Sequence, residues 1–289
     1  MTRLMLVAAA AATIVAGCQA DNRNIERKLD EMAKDIKDLK AQVGRGGAGA
    51  AAPQRPQRVE PDRQKTYSMP IEGDAVDGLA DAKVTLVKAY DYACPYCEKV
   101  RDTMDELRKK YGNDLRIVFK QFVVHPQVAT APALALCAAN KQGKFLQMDT
   151  LLWDKGFKAR QFDKDVAAEA GGQTQKCWES AAGCAIVAGF AQELGLNVDK
   201  FKADMKGECQ ALIAKDQKDL QALGVGATPS FFINGRFMSG AMPVDNFVAI
   251  IDEELKKANE KIGAGMSAAN YYQQVVVDKG LKTLEKPGQ

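Results

Sequence analysis

Two cysteines separated by two residues, Cys94 and Cys97, form the sequence feature with the clearest chemical use. The apolar run Val84–Tyr90 before them predicts a buried strand, and the apolar spacing after Cys97 predicts one helix. The first backbone N–H groups of a helix have no partner within it and favour negative charge, which stabilises a thiolate. A thiolate is the form of cysteine that attacks a disulfide. We therefore predict that Cys94 is the nucleophile and that Cys97, one turn further, resolves the mixed disulfide.

Pro95 and Tyr96 complete this motif, and Pro95 suits the first turn of a helix because its φ is preset and it has no N–H. Two other interpretations are half of a zinc site and a permanent structural disulfide. A zinc site needs a second cysteine pair or suitably spaced histidines, and His125 is the single histidine of the chain. A second apolar run at 115–122 follows the helix, and this order of strand, motif, helix and strand favours redox chemistry. We expect neither a metal nor a bound cofactor.

The composition indicates a folded protein of an oxidising compartment. Of 289 residues, 46% are hydrophobic and 27% are charged, which is typical of globular proteins. Forty Lys and Arg against 37 Asp and Glu leave a net charge of +3, so no nucleic-acid partner is expected. Seven cysteines suit a chain outside the cytosol, where disulfides persist. His125, followed by Pro126, is interpreted as structural.

Residues 1–17 predict a signal peptide, with a basic residue before the apolar stretch 4–16. The stretch is shorter than the about 20 residues that span a bilayer. It ends in Val15-Ala16-Gly17-Cys18, which resembles a bacterial lipobox; an ordinary signal peptide with a chance cysteine is the alternative. The lipobox implies a mature chain that begins at an acylated Cys18, and Gln19 favours the outer membrane of a Gram-negative cell. We expect a periplasmic protein whose only anchor is the lipid.

Residues 18–43 carry the lipidated terminus and a heptad pattern. Apolar residues there recur at spacings of four and three, which predicts a coiled-coil seam and a homodimer or homotrimer. An amphipathic helix that docks on its own domain is the alternative. Residues 44–66, rich in Gly and Ala and then in Pro and polar residues, predict a disordered linker. The seam consists of Ile25, Leu29, Met32, Ile36, Leu39 and Val43.

Three separated pairs of motifs carry a resemblance to a known family. They are residues 81–85 with 91–97, residues 122–126 with 142–145, and residues 224–229 with 231–235. Over residues 67–284 the chain resembles the DsbA-like branch of the thioredoxin superfamily, a branch of extracytoplasmic thiol:disulfide oxidoreductases. The resemblance implies an α/β thioredoxin fold with an inserted helical domain. Its parts are then a first half at 67–126, the insertion at 127–223, and a second half with a C-terminal helix at 224–289.

The resemblance also assigns residues outside the cysteine motif. Thr228 and Pro229 resemble the cis-proline loop of the family, which faces the nucleophile and offers backbone groups to an extended substrate; an ordinary trans turn is the alternative. Lys88 occupies a strand position where many relatives have a buried acid. It either stabilises the thiolate or extends to water, and the proton acceptor for Cys97 stays open. Ala227 replaces a glycine that is common before Thr-Pro.

Four further cysteines allow three pairings. Cys177 and Cys184 lie in a stretch that looks inserted relative to the family, which favours their pairing and leaves Cys137 with Cys209. Structural disulfides are the expected role of both pairs, and a second redox centre is the alternative.

The sequence thus predicts a lipid-anchored thiol:disulfide oxidoreductase that acts on exported proteins with thiols or disulfides. Its electrons must be exchanged with a membrane redox partner, which the sequence does not identify. The seam and Thr228 favour isomerisation or reduction of wrong disulfides, because several active sites around one substrate favour its retention. The alternatives are a tethered dithiol oxidase and a non-catalytic lipoprotein that binds unfolded chains.

Overall fold

The computed structural model describes residues 25–38, 40, 60–162, 169–170, 173–174 and 176–284. The chain divides into two compact units between Gln57 and Arg58. In the first unit, residues 25–38 are helical, and the described seam residues are between 53% and 60% exposed. Cys18, Leu39 and Val43 lie outside the described residues. None of the described helices combines the length and the apolar character needed to cross a bilayer.

Five strands form a mixed sheet at the centre of the second unit, and two short strands pair separately. The strands are β1 (Ala75–Asp77), β2 (Val84–Tyr90), β3 (Leu115–Gln121), β4 (Glu169–Ala170), β5 (Gln173–Thr174), β6 (Ser230–Ile233) and β7 (Arg236–Ser239). The order in the main sheet is β1-β3-β2-β6-β7. β2 is parallel to β3, and the other neighbours are antiparallel. β2 is buried along its whole length, as expected for an apolar central strand.

The helices flank this sheet and fill the stretch between its two halves. They are α1 (Pro95–Lys99), α2 (Arg101–Tyr111), α3 (Pro126–Asn140), α4 (Phe145–Leu151), α5 (Ala185–Glu193), α6 (Val198–Lys206), α7 (Glu208–Ala222), α8 (Val244–Gly263) and α9 (Ala268–Tyr271). α4 and α9 continue as π-helical turns, Leu152–Phe157 and Tyr272–Val277. The predicted α/β fold with a helical insertion, here α3 to α7, is confirmed.

The sheet separates two hydrophobic cores. The larger core contains Cys94 and Cys97 and residues of α2, α8 and the insertion. The smaller core contains Val87 and Ala89 of β2 together with residues of the C-terminal π-helical turn. Because successive strand residues point to opposite faces, β2 directs Lys88 and Tyr90 towards the larger core.

A two-residue turn joins β6 to β7. Asn234 and Gly235 have φ angles of 42° and 84°, the left-handed conformation that such a hairpin requires. A Cβ atom on Gly235 would lie 2.6 Å from the Tyr67 carbonyl oxygen, so this position also has no room for a side chain. The turn therefore fixes the register of the strand that follows Pro229.

The predicted single helix after Cys97 is divided into α1 and α2. Val100 separates the two, with φ of −81° and ψ of −3°. The hydrogen bonds continue across this residue, since the Val100 N–H donates to the Tyr96 carbonyl and the Met104 N–H donates to the Val100 carbonyl. The division is therefore a local change of backbone angle within a helix whose hydrogen bonds are continuous.

Residues 60–66, assigned by composition to the disordered linker, lie against the domain. The Asp62 N–H donates to the Tyr67 hydroxyl at 2.8 Å, and Thr66 forms a β-bridge with Arg236. A contact with a strand that is distant in the chain leaves no local pattern in the sequence. Composition alone therefore places the start of the folded domain several residues too late.

Candidate active site

Cys94 and Cys97 lie in the turn that leads from β2 into α1. Cys94 caps the helix directly before Pro95, its first residue. Both cysteines are free thiols, and Cys94 is 5% exposed while Cys97 is 1% exposed. Tyr96 between them is 62% exposed. The motif therefore presents its tyrosine to solvent and leaves a small part of Cys94 accessible.

The two thiols have opposite acidities. A hydrogen bond from Cys97 is the largest cause that lowers the pKa of Cys94 to about 6; burial opposes it, and Thr228 with the backbone N–H groups of Cys97 and Tyr96 supports it. Burial, the hydrogen bond to Cys94 and the charge on Cys94 raise the pKa of Cys97 far above its ordinary value. At neutral pH, Cys94 is mostly a thiolate and Cys97 is a thiol. These are the states that a nucleophile and a resolving thiol require.

The loop before β6 closes one side of Cys94. The peptide bond between Thr228 and Pro229 is cis, and Cys94 Sγ lies 3.3 Å from the Thr228 carbonyl oxygen. Ser230 Oγ donates to the Ala227 carbonyl at 2.8 Å, which holds the loop from within. The Ala227 side chain is exposed. The structure thus brings the predicted loop to the predicted nucleophile.

Asp91 fixes the turn that carries Cys94. Its buried carboxylate accepts hydrogen bonds from the backbone N–H groups of Ala93 at 2.6 Å, Val124 at 2.6 Å and His125 at 2.9 Å. The His125 Nδ1 lies 3.3 Å from the same carboxylate. Asp91 therefore ties the turn before α1 to the turn before α3. This role has no signature in the sequence, because two of the three donors are more than thirty residues away.

Lys88 is 3% exposed and does not extend to water, which excludes one of its two predicted states. Its Nζ lies 4.4 Å from the centre of the Tyr90 ring and 4.3 Å from the centre of the Phe119 ring. Burial lowers the pKa of Lys88, while the negative charges of Asp149 and of a Cys97 thiolate oppose that shift. Lys88 thus lies within electrostatic reach of the cysteine pair.

A chain of hydrogen bonds leads from the sheet to the helical insertion. Gln121 Nε2 donates to the Tyr90 hydroxyl at 2.6 Å, and the hydroxyls of Tyr90 and Tyr92 are 3.1 Å apart. The Tyr92 hydroxyl donates to Asp149 Oδ1 at 2.6 Å. Trp153 covers the Tyr92 ring with a centroid distance of 4.8 Å. The insertion therefore supplies a carboxylate and an aromatic wall to the site, and neither is part of a recognisable motif.

Four further cysteines, all within the insertion, form two disulfides. Cys137 of α3 is bonded to Cys209 of α7, with 5.7 Å between their Cα atoms. Cys177 is bonded to Cys184, with 4.9 Å between their Cα atoms. This is the pairing that the sequence favours. The first bridge connects the first and last helices of the insertion.

The sequence model of the Thioredoxin family matches residues 71–253. Among curated proteins, the chain is similar to the Na(+)/H(+) antiporter NhaA of Herminiimonas arsenicoxydans, with 30% identity over 200 residues that cover 65% of this chain and 28% of the antiporter. The Na(+)/H(+) antiporter NhaA 1 of Mycobacterium sp. (strain KMS) is 27% identical over 187 residues, which cover 63% of this chain and 27% of that protein. The chain spans about a quarter of the length of these curated relatives.

Among solved structures, a thioredoxin-like oxidoreductase from Silicibacter pomeroyi has 25% identity and a TM-score of 0.50, and the match covers 64% of this chain and 94% of that chain. Oxidised BdbD from Bacillus subtilis has 23% identity and a TM-score of 0.50, with coverages of 68% and 100%. Alpha-DsbA1 from Wolbachia pipientis has 18% identity and a TM-score of 0.52, with coverages of 67% and 96%. The latter two likenesses concern the fold alone.

Proposed function

This chain belongs to the thioredoxin family, and on that premise we propose that it catalyses thiol–disulfide exchange with exported proteins through Cys94 and Cys97. The observation that carries the proposal is the pair of free thiols with opposite acidities, one near pKa 6 and the other strongly raised. The Cys94 thiolate attacks a substrate disulfide and forms a mixed disulfide. Cys97 then attacks Cys94 and releases the substrate thiol. The reverse sequence donates the Cys94–Cys97 disulfide to a substrate dithiol.

The loop beside Cys94 supports an extended polypeptide as the substrate. The Thr228 carbonyl oxygen lies 3.3 Å from Cys94 Sγ, so it can accept an N–H from a residue next to the attacked cysteine. Such pairing adds the substrate to the loop as a β-strand. It uses backbone hydrogen bonds and not contacts of the substrate side chains. The proposed site is therefore tolerant of substrate sequence.

The experiment that tests this proposal compares two variants. Cys94→Ala should lose all reduction of a disulfide peptide and all rescue of a scrambled, multi-disulfide protein. Cys97→Ala should accumulate mixed disulfides with exported proteins through Cys94, visible as adducts that a reductant removes. If the protein is a non-catalytic binder of unfolded chains, Cys94→Ala should give the same results as the wild type in both assays. That outcome would refute the proposal.

We propose isomerisation or reduction as the main direction, with dithiol oxidation as the alternative. A thiol attacks disulfides best when its pKa lies near the ambient pH, and the pKa of Cys94 is about 6. The exposed seam supports an assembly of two or three chains, which would hold a substrate near several thiolates. Two rates separate these directions: recovery of native activity from a scrambled substrate, and oxidation of a fully reduced substrate. Isomerisation or reduction predicts that the first is the faster, and dithiol oxidation predicts that the second is.

We further propose a periplasmic location, with acylated Cys18 as anchor in the outer membrane and a membrane protein as redox partner. The support is the lipobox-like sequence before Cys18. Intact mass spectrometry of the N-terminal peptide should find lipid on Cys18, and the mature protein should fractionate with outer membranes. A mature protein cleaved elsewhere and recovered without membranes would refute this.

A further inference from the structure

A cavity of about 180 Å³ lies beside the turn that carries Cys94. The described residues that line it are four with apolar side chains, one glycine and one arginine: Ala93, Val128, Phe157, Phe162, Gly156 and Arg160. Ala93 directly precedes Cys94 in the chain, so the cavity begins next to the nucleophile. A cavity of about 150 Å³ is large enough for a benzene ring. The cavity beside Cys94 therefore has room for one large apolar side chain of a substrate.

Two walls of the cavity are fixed to the cysteine motif through Asp91. Its carboxylate accepts hydrogen bonds from the Ala93 N–H at 2.6 Å and from the His125 N–H at 2.9 Å. The His125 carbonyl in turn accepts a hydrogen bond at 3.1 Å from the N–H of Val128, in the first turn of α3. Ala93 and Val128 are thus held in fixed positions relative to Cys94.

The third wall is the π-helical turn Leu152–Phe157 of the insertion. Asp154 Oδ1 in this turn lies 2.9 Å from Arg101 Nη1 of α2. Lys158 Nζ, directly after the turn, lies 3.2 Å from Glu98 Oε1 of α1. π-Helical turns are rare and frequently occur at functional sites. The two ion pairs join this wall to the helices that follow Cys94, so the insertion forms one side of a defined cavity.

Arg160 has a strained backbone where it lines this cavity. Its φ is 52°, in the left-handed region that is uncommon for residues other than glycine. Two hydrogen bonds of 2.9 Å hold it there, from its own N–H to the Phe157 carbonyl and from the Gln161 N–H to the Gly156 carbonyl. Strained residues persist only where the surrounding structure maintains them, and they cluster at functional sites. The fold thus maintains Arg160 beside the cavity against its backbone preference.

Arg160 supplies the charge of the cavity, since the other described lining residues are uncharged. Its side chain is exposed and forms no ion pair with the residues that the structure describes. The lysines nearest to it in the chain are paired, Lys155 with Glu193 and Lys158 with Asp154. A guanidinium that has no partner and lies beside an apolar cavity is complementary to a carboxylate that follows or precedes an apolar side chain.

We propose that Arg160 is a specificity-determining residue that favours polypeptides with a large apolar side chain in this cavity and a Glu or Asp beside it. The inference rests on the proposed exchange function. One extended residue spans about 3.5 Å, so these side chains belong to residues within about three positions of the attacked cysteine. Pairing with the Thr228 backbone accepts any sequence, and Arg160 adds a preference of about fivefold, the upper range for an exposed ion pair.

The test measures how the rate of exchange depends on the residues around a substrate cysteine. The full mature protein, fully reduced, is mixed with short peptides that are capped at both ends and supplied as symmetric disulfides. Each peptide has a central cysteine with one Leu and one Glu in every arrangement, and Ser elsewhere. Matched peptides carry Gln or Lys in place of Glu, or Ser in place of Leu. Mass spectrometry at pH 7 and low ionic strength follows the loss of each peptide disulfide.

Four variants are compared with the wild type. Arg160→Asn removes the charge, and asparagine tolerates the left-handed backbone at this position. Arg160→Glu reverses the charge. Val128→Phe fills part of the cavity. Lys109→Asn is the control, because it removes a positive charge from an exposed position of α2 that does not line the cavity.

In the wild type, at least one arrangement should react about fivefold faster with Glu than with Gln, and only when Leu is present. Arg160→Asn should abolish this difference. Arg160→Glu should reverse the preference, so that the Lys peptide reacts faster than the Gln peptide. Val128→Phe should remove the advantage of Leu over Ser. Lys109→Asn should show the same ratios of rates as the wild type.

Three results would overturn the inference. The first needs no variant and applies even if the variants fail to fold: equal wild-type rates for Glu and Gln in every arrangement. The second is a preference for Glu that persists in Arg160→Asn and Arg160→Glu, because other charges would then attract the peptide. The third is a preference for Glu that is the same with and without Leu, which would leave the cavity without a role. A wild type that reduces none of the peptides would refute the proposed function instead.

Discussion

At the scale of single residues, two chemically identical side chains acquire different acidities from burial and from the direction of one hydrogen bond. Cys97 donates to Cys94, which stabilises a charge on Cys94. Burial is the largest cause that holds the proton on Cys97, and the same bond adds to it. The difference therefore requires both cysteines, and loss of either one changes the acidity of the other.

This dependence predicts the pH profile of alkylation. In the reduced protein, labelling of Cys94 by iodoacetamide should be half-maximal near pH 6 and level off above pH 7, because only the thiolate reacts. Cys97 should remain unlabelled through pH 9. Peptide mass mapping after short exposures measures both.

Cys97→Ala serves as the matched variant for this profile. It removes the largest cause of the low pKa and leaves the backbone donors in place. The midpoint of Cys94 labelling should therefore move to higher pH. An unchanged midpoint would show that Thr228 and the backbone N–H groups set the acidity of Cys94 without the Cys97 thiol.

The sequence predicts the cysteines of this site but not all of their neighbours. Cys94 and Cys97 are identified by spacing next to a strand and a helix, which is local information. Asp149 belongs to the insertion, more than fifty residues after Cys97, and reaches the site through Tyr92. Such a contact depends on how the insertion packs, so no pattern along the chain reveals it.

At the scale of elements, a buried ionic cluster joins α7 to the sheet. Lys120 Nζ of β3 lies 2.5 Å from Asp216 Oδ1 of α7 and 2.7 Å from Asp74 Oδ2 before β1. All three side chains are buried. Burial, followed by the charge of Asp216, raises the pKa of Asp74 to about 7, against the opposing charge of Lys120. One lysine thus faces two carboxylates, and the second carboxylate is costly to ionise.

This cluster predicts a pH-dependent stability. Between pH 4 and pH 7 the folded state holds a proton on Asp74 that the unfolded state has lost. The free energy of unfolding therefore falls as the pH rises through this window, by up to about 1.4 kcal/mol per pH unit. Asp74→Asn removes this slope. In urea titrations, the free energy of unfolding of the variant should therefore rise relative to that of the wild type from pH 4 to pH 7.

The control for the cluster is Asp102→Asn, which changes an exposed acid of α2. Its stability should follow the wild-type curve in parallel over the same pH range. If the stability of Asp74→Asn also follows the wild-type curve in parallel from pH 4 to pH 7, Asp74 is ionised throughout this range. The account of the cluster is then wrong.

The elements differ in how far the sequence predicts them. The hairpin turn at Asn234 and Gly235 is foreseeable, because a two-residue turn needs residues that tolerate positive φ. The division of the helix at Val100 is not, since no proline or glycine marks it. The ordered contacts of residues 60–66 depend on Tyr67 and Arg236, which belong to the folded domain.

At the scale of the whole molecule, the N-terminal helix presents an apolar stripe to solvent. Ile25, Leu29, Met32 and Ile36 are each more than half exposed. Burying one Leu or Ile side chain contributes about 1.5–3 kcal/mol. Burial of this stripe is the driving force that we propose for association between copies of the chain.

We predict that Leu29→Ser with Ile36→Ser weakens this association by at least about 3 kcal/mol, or roughly 100-fold in the dissociation constant. Sedimentation should find dimers or trimers for the wild type and monomers for the double variant. Exchange with small peptides should persist, while rescue of a scrambled substrate should fall. Lys34→Ser with Lys37→Ser, off the seam, should sediment like the wild type. A wild type that is itself monomeric would end the proposal of an assembly.

The two disulfides of the insertion are nested, because the Cys137–Cys209 bond encloses the Cys177–Cys184 bond along the chain. A polypeptide that emerges from a translocation channel from its N-terminus exposes Cys137 and Cys177 before their proper partners arrive. Bonding in order of arrival would join Cys94 to Cys97 and then Cys137 to Cys177, and the second of these bonds must be exchanged to give the two observed disulfides. An exported chain with this nested pattern would therefore itself be a substrate for the correction of disulfides that we propose it performs.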